Sequence, residues 1–104
     1  MIVVNTLEVS GKQITSTLGV VRGSSVRAKW FGKDIMAGFK NIVGGEIKAY
    51  MELLDEAREA ALGRMIADAE QLGADAIVNV HFMTAQVSHG AAEILVYGTA
   101  VKLS

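Results

Sequence analysis

The sequence contains no cysteine, no proline and only two histidines in 104 residues. Without cysteine there are no disulfides and no thiolate chemistry, and the ligands that a soft heavy metal prefers are missing. Without proline, loop punctuation falls to the 11 glycines. His81 and His89 cannot close a zinc site from one chain. Neither has a motif-spaced nucleophile, so the reading is of a protein that is not an enzyme. Residues 1–11 hold no Lys or Arg and include Glu8, so no secretory leader is expected and the expected location is cytoplasmic. The uncharged residues 76–92 are interrupted by Asn79, His81, Gln86, Ser88 and His89, which is too polar for a membrane span.

What the chain does have is apolar side chains. They make up 51% of it, and the mean hydropathy of +0.35 is high for a chain of this size. The length predicts a single domain over residues 1–104. A small domain leaves much apolar surface uncovered, which favours self-association. Charge is balanced overall at −1 but divided along the chain. Residues 1–45 carry Lys12, Arg22, Arg27, Lys29, Lys33 and Lys40 against Glu8 and Asp34, a balance of +4. Residues 46–104 carry Lys48, Arg58, Arg64 and Lys102 against nine acids, a balance of −5. Cations this dispersed make a weak footprint for nucleic acid, which is not expected as a partner. Opposite charge on two parts of one chain suits a head-to-tail ring.

Residues 1–5 are a short β-branched run, and residues 7–11 read as a turn into an extended segment over 13–26. Alternation there puts Ile14, Ser16, Leu18, Val20 and Val26 on one face and Thr15, Thr17 and Val21 on the other. Gly19 and Gly23 suggest a bend or bulge, or a place where another backbone or a ligand comes close, with a bend as the expected use. Asp34 can cap a short helix with Ile35, Phe39, Ile42 and Val43 at helical spacing. From Glu46 a long amphipathic helix follows, with Ile47, Tyr50, Met51, Leu54, Ala57, Ala61, Leu62, Met65, Ile66, Ala69 and Leu72 stepping by three and four. Lys48 with Glu52 and Arg64 with Asp68 are i,i+4 partners on its wet face, and Gly73 supplies the stop. Residues 76–87 and 92–103 read as a hairpin around Ser88-His89-Gly90. Alternation puts Val78, Val80 and Phe82 on one face of the first strand and Ile77, Asn79, His81 and Met83 on the other. Strands, helices and hairpin in this order predict an α+β fold with an antiparallel sheet.

The residues that could carry chemistry are few. Gly44-Gly45 places free amides at the positive end of the long helix, where anions bind well, but no Lys-Ser or Lys-Thr follows to make a phosphate loop. The same glycines also serve simply to join two helices. Trp30 and Phe31 beside Lys29 and Lys33 could stack on bases, but such aromatics more often close the core or a subunit contact. Tyr50 belongs to the helix seam, and Arg58 among Ala57, Ala60 and Ala61 suits an interface ion pair. His81, with Asn79 and Met83 on its face, is the candidate metal ligand, provided that an oligomer brings copies together. Arg22 and Arg58 are the candidate contacts for a small anionic ligand.

Several separated segments resemble one family in order and from end to end. They are Gly19-Val20-Val21-Arg22-Gly23, Ala37-Gly38, Ile42-Val43-Gly44-Gly45, Ala49-Tyr50, Ala57-Arg58, Leu72-Gly73-Ala74-Asp75-Ala76-Ile77-Val78 and Gly98-Thr99-Ala100-Val101. Together they resemble the YbjQ-like family of small bacterial and archaeal proteins, described as heavy-metal-binding. The resemblance implies a dodecin-like subunit fold assembled as a homopentamer, with no established enzymatic activity. It carries Arg22, Gly44, Gly45, Tyr50 and Arg58 as site candidates; Asn79 and His81 come from the strand pattern. Three functions follow as expectations: a ring that binds a divalent transition metal or a small anion at subunit interfaces, a scaffolding oligomer without a ligand, and an enzyme assembled only across subunits.

Overall fold

The strands form where β-branched residues concentrate, and the helix where Ala, Leu, Met and Glu do. A computed structural model describes residues 1–28, 45–88 and 91–104. It contains β1 (Ile2–Val3), β2 (Ile14–Ala28), α1 (Gly45–Gln71), β3 (Ala76–Ser88) and β4 (Ala91–Leu103). The helix expected after Asp34, Trp30 and Phe31, and His89 with its turn lie outside the described residues. The α+β class is as expected, but the sheet is mixed rather than antiparallel. Its order is β1-β3-β4-β2, with β1 parallel to β3 and the other pairs antiparallel. A parallel neighbour is available to β1 because the chain crosses back through β2 and α1 before β3 begins.

The helix ends at Gly73, whose φ of +75° permits the left-handed turn, and Leu72, Gly73 and Ala74 donate their amides to carbonyls of the last turn. A stripe of Ala57, Ala61, Met65 and Ala69, each four residues from the last, is fully buried against Val21, Ile77, Val80, Ile94, Val96 and Ala100. Leu54, Leu62 and Ile66 flank this core. Met51 and Leu72, expected on the same seam, are instead exposed, because small residues at the contact narrow the buried stripe. The small residues let α1 sit close on β2. A Cβ added to Gly23 would overlap Ala61 O and Met65 N, so of the uses open to this glycine the structure takes the close approach of another backbone.

Arg64 and Asp68 reach β2 instead of stabilising only the helix. The Arg64 guanidinium donates to Ser24 O, and Asp68 Oδ2 accepts from Arg22 N at 3.4 Å. These bonds engage backbone groups of an edge strand that lack a strand neighbour.

Two of the four register shifts in the sheet reset the alternation read from sequence. In β2 the register shifts between Thr17 and Gly19, so Leu18 packs on the core while Val20 and Val26 stand exposed. In β3 the register passes from Val78↔Thr99 to His81↔Tyr97. Asn79 and Val80 therefore oppose Gly98 alone, with Asn79 at φ 54°. Ile77 and Val80 consequently both face α1, and His81 does not share a face with Ile77 as the strict alternation required. On the face away from α1, Ala76, Val78 and Val101 form a second small core under Ile2, Val4, Val9 and Leu103. The Cα radius of gyration is 17.1 Å, against about 13 Å for a compact chain of this length.

Candidate functional site

Beyond the cover of residues 2–9, no described residue packs over the sheet face turned away from α1. The pairing registers put Val20, Thr99 and Val78 in one row across the sheet. The next rows are Arg22, Tyr97 and His81, then Ser24, Leu95 and Met83, then Val26, Glu93 and Ala85. Three apolar side chains of this face are largely solvent-exposed, namely Val20 at 73%, Met83 at 56% and Val26 at 52%.

The second row holds the chemistry. His81 and Tyr97 stack, with ring centroids 5.6 Å apart and planes inclined by 27°. The Nε2–H of His81 donates to Asn79 Oδ1 at 3.0 Å. The left-handed backbone of Asn79 makes this bond, because the bulge turns its amide toward a residue two positions on. Arg22 completes the row as an exposed cation on the edge strand. The result is an inclined His–Tyr stack, held at one end by the Asn79 amide, with Arg22 next in register beyond Tyr97.

Of the residues singled out from sequence, the fold brings Arg22, Asn79 and His81 to this face. It does not bring Gly45, Tyr50 and Arg58 there. Gly45 opens α1, Tyr50 is half-buried on it, and Gly44 lies outside the described residues. Arg58 pairs with Asp55 at 2.9 Å within the same helix, both exposed. Tyr97 is the residue that sequence reading missed. A turn centred on residue 89 already pairs 81 with 97, so the hairpin register held the signal.

A heavy metal does not fit the described donors of one chain. Cysteine is absent, and among the described residues no group of three or more His, Asp or Glu side chains converges. His81 already commits Nε2 to Asn79. At the far end of the sheet a different cluster closes the fold. Asp75 Oδ2 accepts from Leu103 N at 2.9 Å, and Lys102 Nζ donates to Gly73 O at 2.8 Å while lying 3.7 Å from Asp75 Oδ1. The backbone bond from Leu103 holds the Asp75 carboxyl below its ordinary range; desolvation opposes it, and the charge of Lys102 adds to the lowering. Among the described residues no helix is long and apolar enough to cross a membrane.

Comparison with known proteins agrees with this architecture. A UPF0145 protein of Methanosarcina acetivorans is 58% identical over 103 residues, covering 99% of this chain and 97% of its own. A UPF0145 protein of Photobacterium profundum is 60% identical, covering 99% and 100%. A crystal structure of a protein of unknown function from Pediococcus pentosaceus, of the DUF74 family, superposes with a TM-score of 0.64 at 19% identity, covering 100% of this chain and 98% of that one. That likeness extends to the fold alone. Residues 1–104 match the YbjQ family model, described as "Putative heavy-metal-binding", and the chain belongs to this family.

Proposed function

We propose that this protein is a homo-oligomeric binding protein, a dodecin-like ring of five subunits that holds a small anionic ligand on the sheet face at subunit junctions. The observation that carries this reading is the His81–Tyr97 stack, held by Asn79 and in register with Arg22 on a stretch of sheet that no described residue covers. The stacked rings offer an aromatic surface. A guanidinium presents planar donors that match a carboxylate or phosphate. Around them Val20, Val26 and Met83 are the kind of exposed side chains that a neighbouring subunit buries. The elongated shape supports more than one subunit, while the number five rests on the family resemblance. A metal would need His81 from several copies, so an anion suits one chain's residues better.

Native mass spectrometry of protein produced without a metal-affinity tag tests the reading. The expected spectrum is a multiple of the 11.0 kDa chain carrying additional retained mass, and Arg22→Ala or Tyr97→Ala loses that mass while keeping the assembly. A multiple without retained mass favours the ligand-free scaffold, and a lone 11.0 kDa species ends the oligomeric reading. Calorimetric titration of zinc, copper and nickel into wild type and His81→Ala covers the metal alternative. Equal heats for both proteins, or none, remove His81 as a metal ligand.

A further inference from the structure

The four cross-strand rows of the face turned away from α1 contain one permanent cation, Arg22, and one acid, Glu93. Glu93 stands two rows on, about 14 Å along the strand direction, so it leaves the surroundings of Arg22 without a negative charge. Most of the surface around Arg22 is apolar or aromatic. Val20 precedes it on β2 at 73% exposure, and Met83 follows His81 on β3 at 56%.

Backbone geometry decides what stands closest to Arg22. Its N–H turns outward from the sheet to Asp68 Oδ2. Arg22 and Tyr97 therefore exchange no backbone hydrogen bonds and form the narrow type of antiparallel pair. In such a pair the side chains are the nearest cross-strand neighbours that a sheet provides. Tyr97 is in turn stacked on His81, which the Asn79 bond holds in place. The order across the sheet is guanidinium, phenol ring, imidazole ring, spanning about 10 Å from strand to strand.

An exposed guanidinium by itself holds an inorganic anion weakly, because water competes for both charges and salt screens them. No second permanent cation stands in these rows to strengthen it. What the face offers beside the charge is ring surface and exposed apolar side chains, whose covering is favourable in water. A ligand held here thus needs a body as well as a charge. An aromatic body suits the two rings better than an aliphatic one, since ring against ring adds quadrupole attraction to burial, and the Met83 thioether one row on favours rings too.

We propose that the ligand of this face is a planar aromatic anion, its oxyanion held by Arg22 and its ring covering Tyr97 and His81. The proposal rests on the anion-binding reading above and names the class of ligand. Titration of the full-length protein with 2-naphthoate, cyclohexanecarboxylate and inorganic phosphate, followed by NMR of the His81 and Tyr97 ring signals, tests it. The expected result is that 2-naphthoate shifts both sets of ring signals. It also binds about 10-fold more tightly than cyclohexanecarboxylate, which has the same charge and no aromatic ring. Arg22→Gln weakens both carboxylates, whereas Tyr97→Leu weakens 2-naphthoate alone. Equal affinity of the two carboxylates, or phosphate bound as tightly as 2-naphthoate, overturns the aromatic class and leaves the small-anion reading standing. Binding of 2-naphthoate that leaves the His81 and Tyr97 signals unmoved also overturns it. No binding of any of the three overturns both. Should Tyr97→Leu fail to fold, the ring shifts and the affinity ratio of wild type decide alone.

Discussion

Gly23 of β2 and Ala61 of α1 meet backbone against side-chain space: the position a Cβ on Gly23 would occupy is filled by the carbonyl oxygen of Ala61. Helix and edge strand therefore approach at a distance that only glycine on one side and a fully buried alanine on the other allow. The stability of the α1–β2 contact depends on this pair.

Gly23→Ala should accordingly destabilise the protein by about 2–3 kcal/mol, since the added methyl meets main chain that cannot swing aside. Urea unfolding followed by circular dichroism measures it. An unchanged midpoint would show that α1 stands further from β2 than described.

Asn79 holds a left-handed backbone and ties down His81. Asn79→Ala should cost about 1 kcal/mol in thermal or chemical unfolding, and Asn79→Gly should cost less, because glycine adopts positive φ without penalty.

The Asn79 bond also selects a histidine tautomer. Neutral His81 should carry its proton on Nε2, visible in the ring nitrogen shifts by NMR, and Asn79→Ala should weaken that preference. A spectrum dominated by the Nδ1–H form in wild type would rule out the bond as assigned.

Asp75 predicts a pH dependence whose sign follows from its lowered pKa. A carboxyl with a lower pKa in the folded state than in the unfolded chain stabilises the fold above the unfolded value of 3.8. That stabilisation is lost as pH falls from there through the lower folded value. The thermal midpoint of wild type should therefore drop more steeply with acidification below about pH 4 than that of Asp75→Asn. Parallel curves would mean that the Leu103 and Lys102 contacts do not act on the carboxyl.

Much of this protein was legible without coordinates. The 27-residue helix and its glycine stop follow from apolar spacing and one left-handed position, and the closing hairpin follows from two alternating runs around a polar turn. Such features depend on neighbours within a few residues, which is what a sequence displays. The faces of the long strands were not legible, because a single bulge inverts every side chain beyond it, and neither Thr17-Leu18-Gly19 nor Val78-Asn79-Val80 announces where the extra residue falls. The parallel placement of β1, the use of Gly23 for a close approach and the turning of Arg64 and Asp68 to β2 join positions tens of residues apart. The site divides in the same way. Residue types singled out Arg22, Asn79 and His81, but the bulge turned His81 away from Ile77, cross-strand register set it against Tyr97 and in line with Arg22, and helix position kept Arg58 apart. Only tertiary structure decides such groupings, because the free energy that selects them comes from packing between elements and not from the preferences of any one segment.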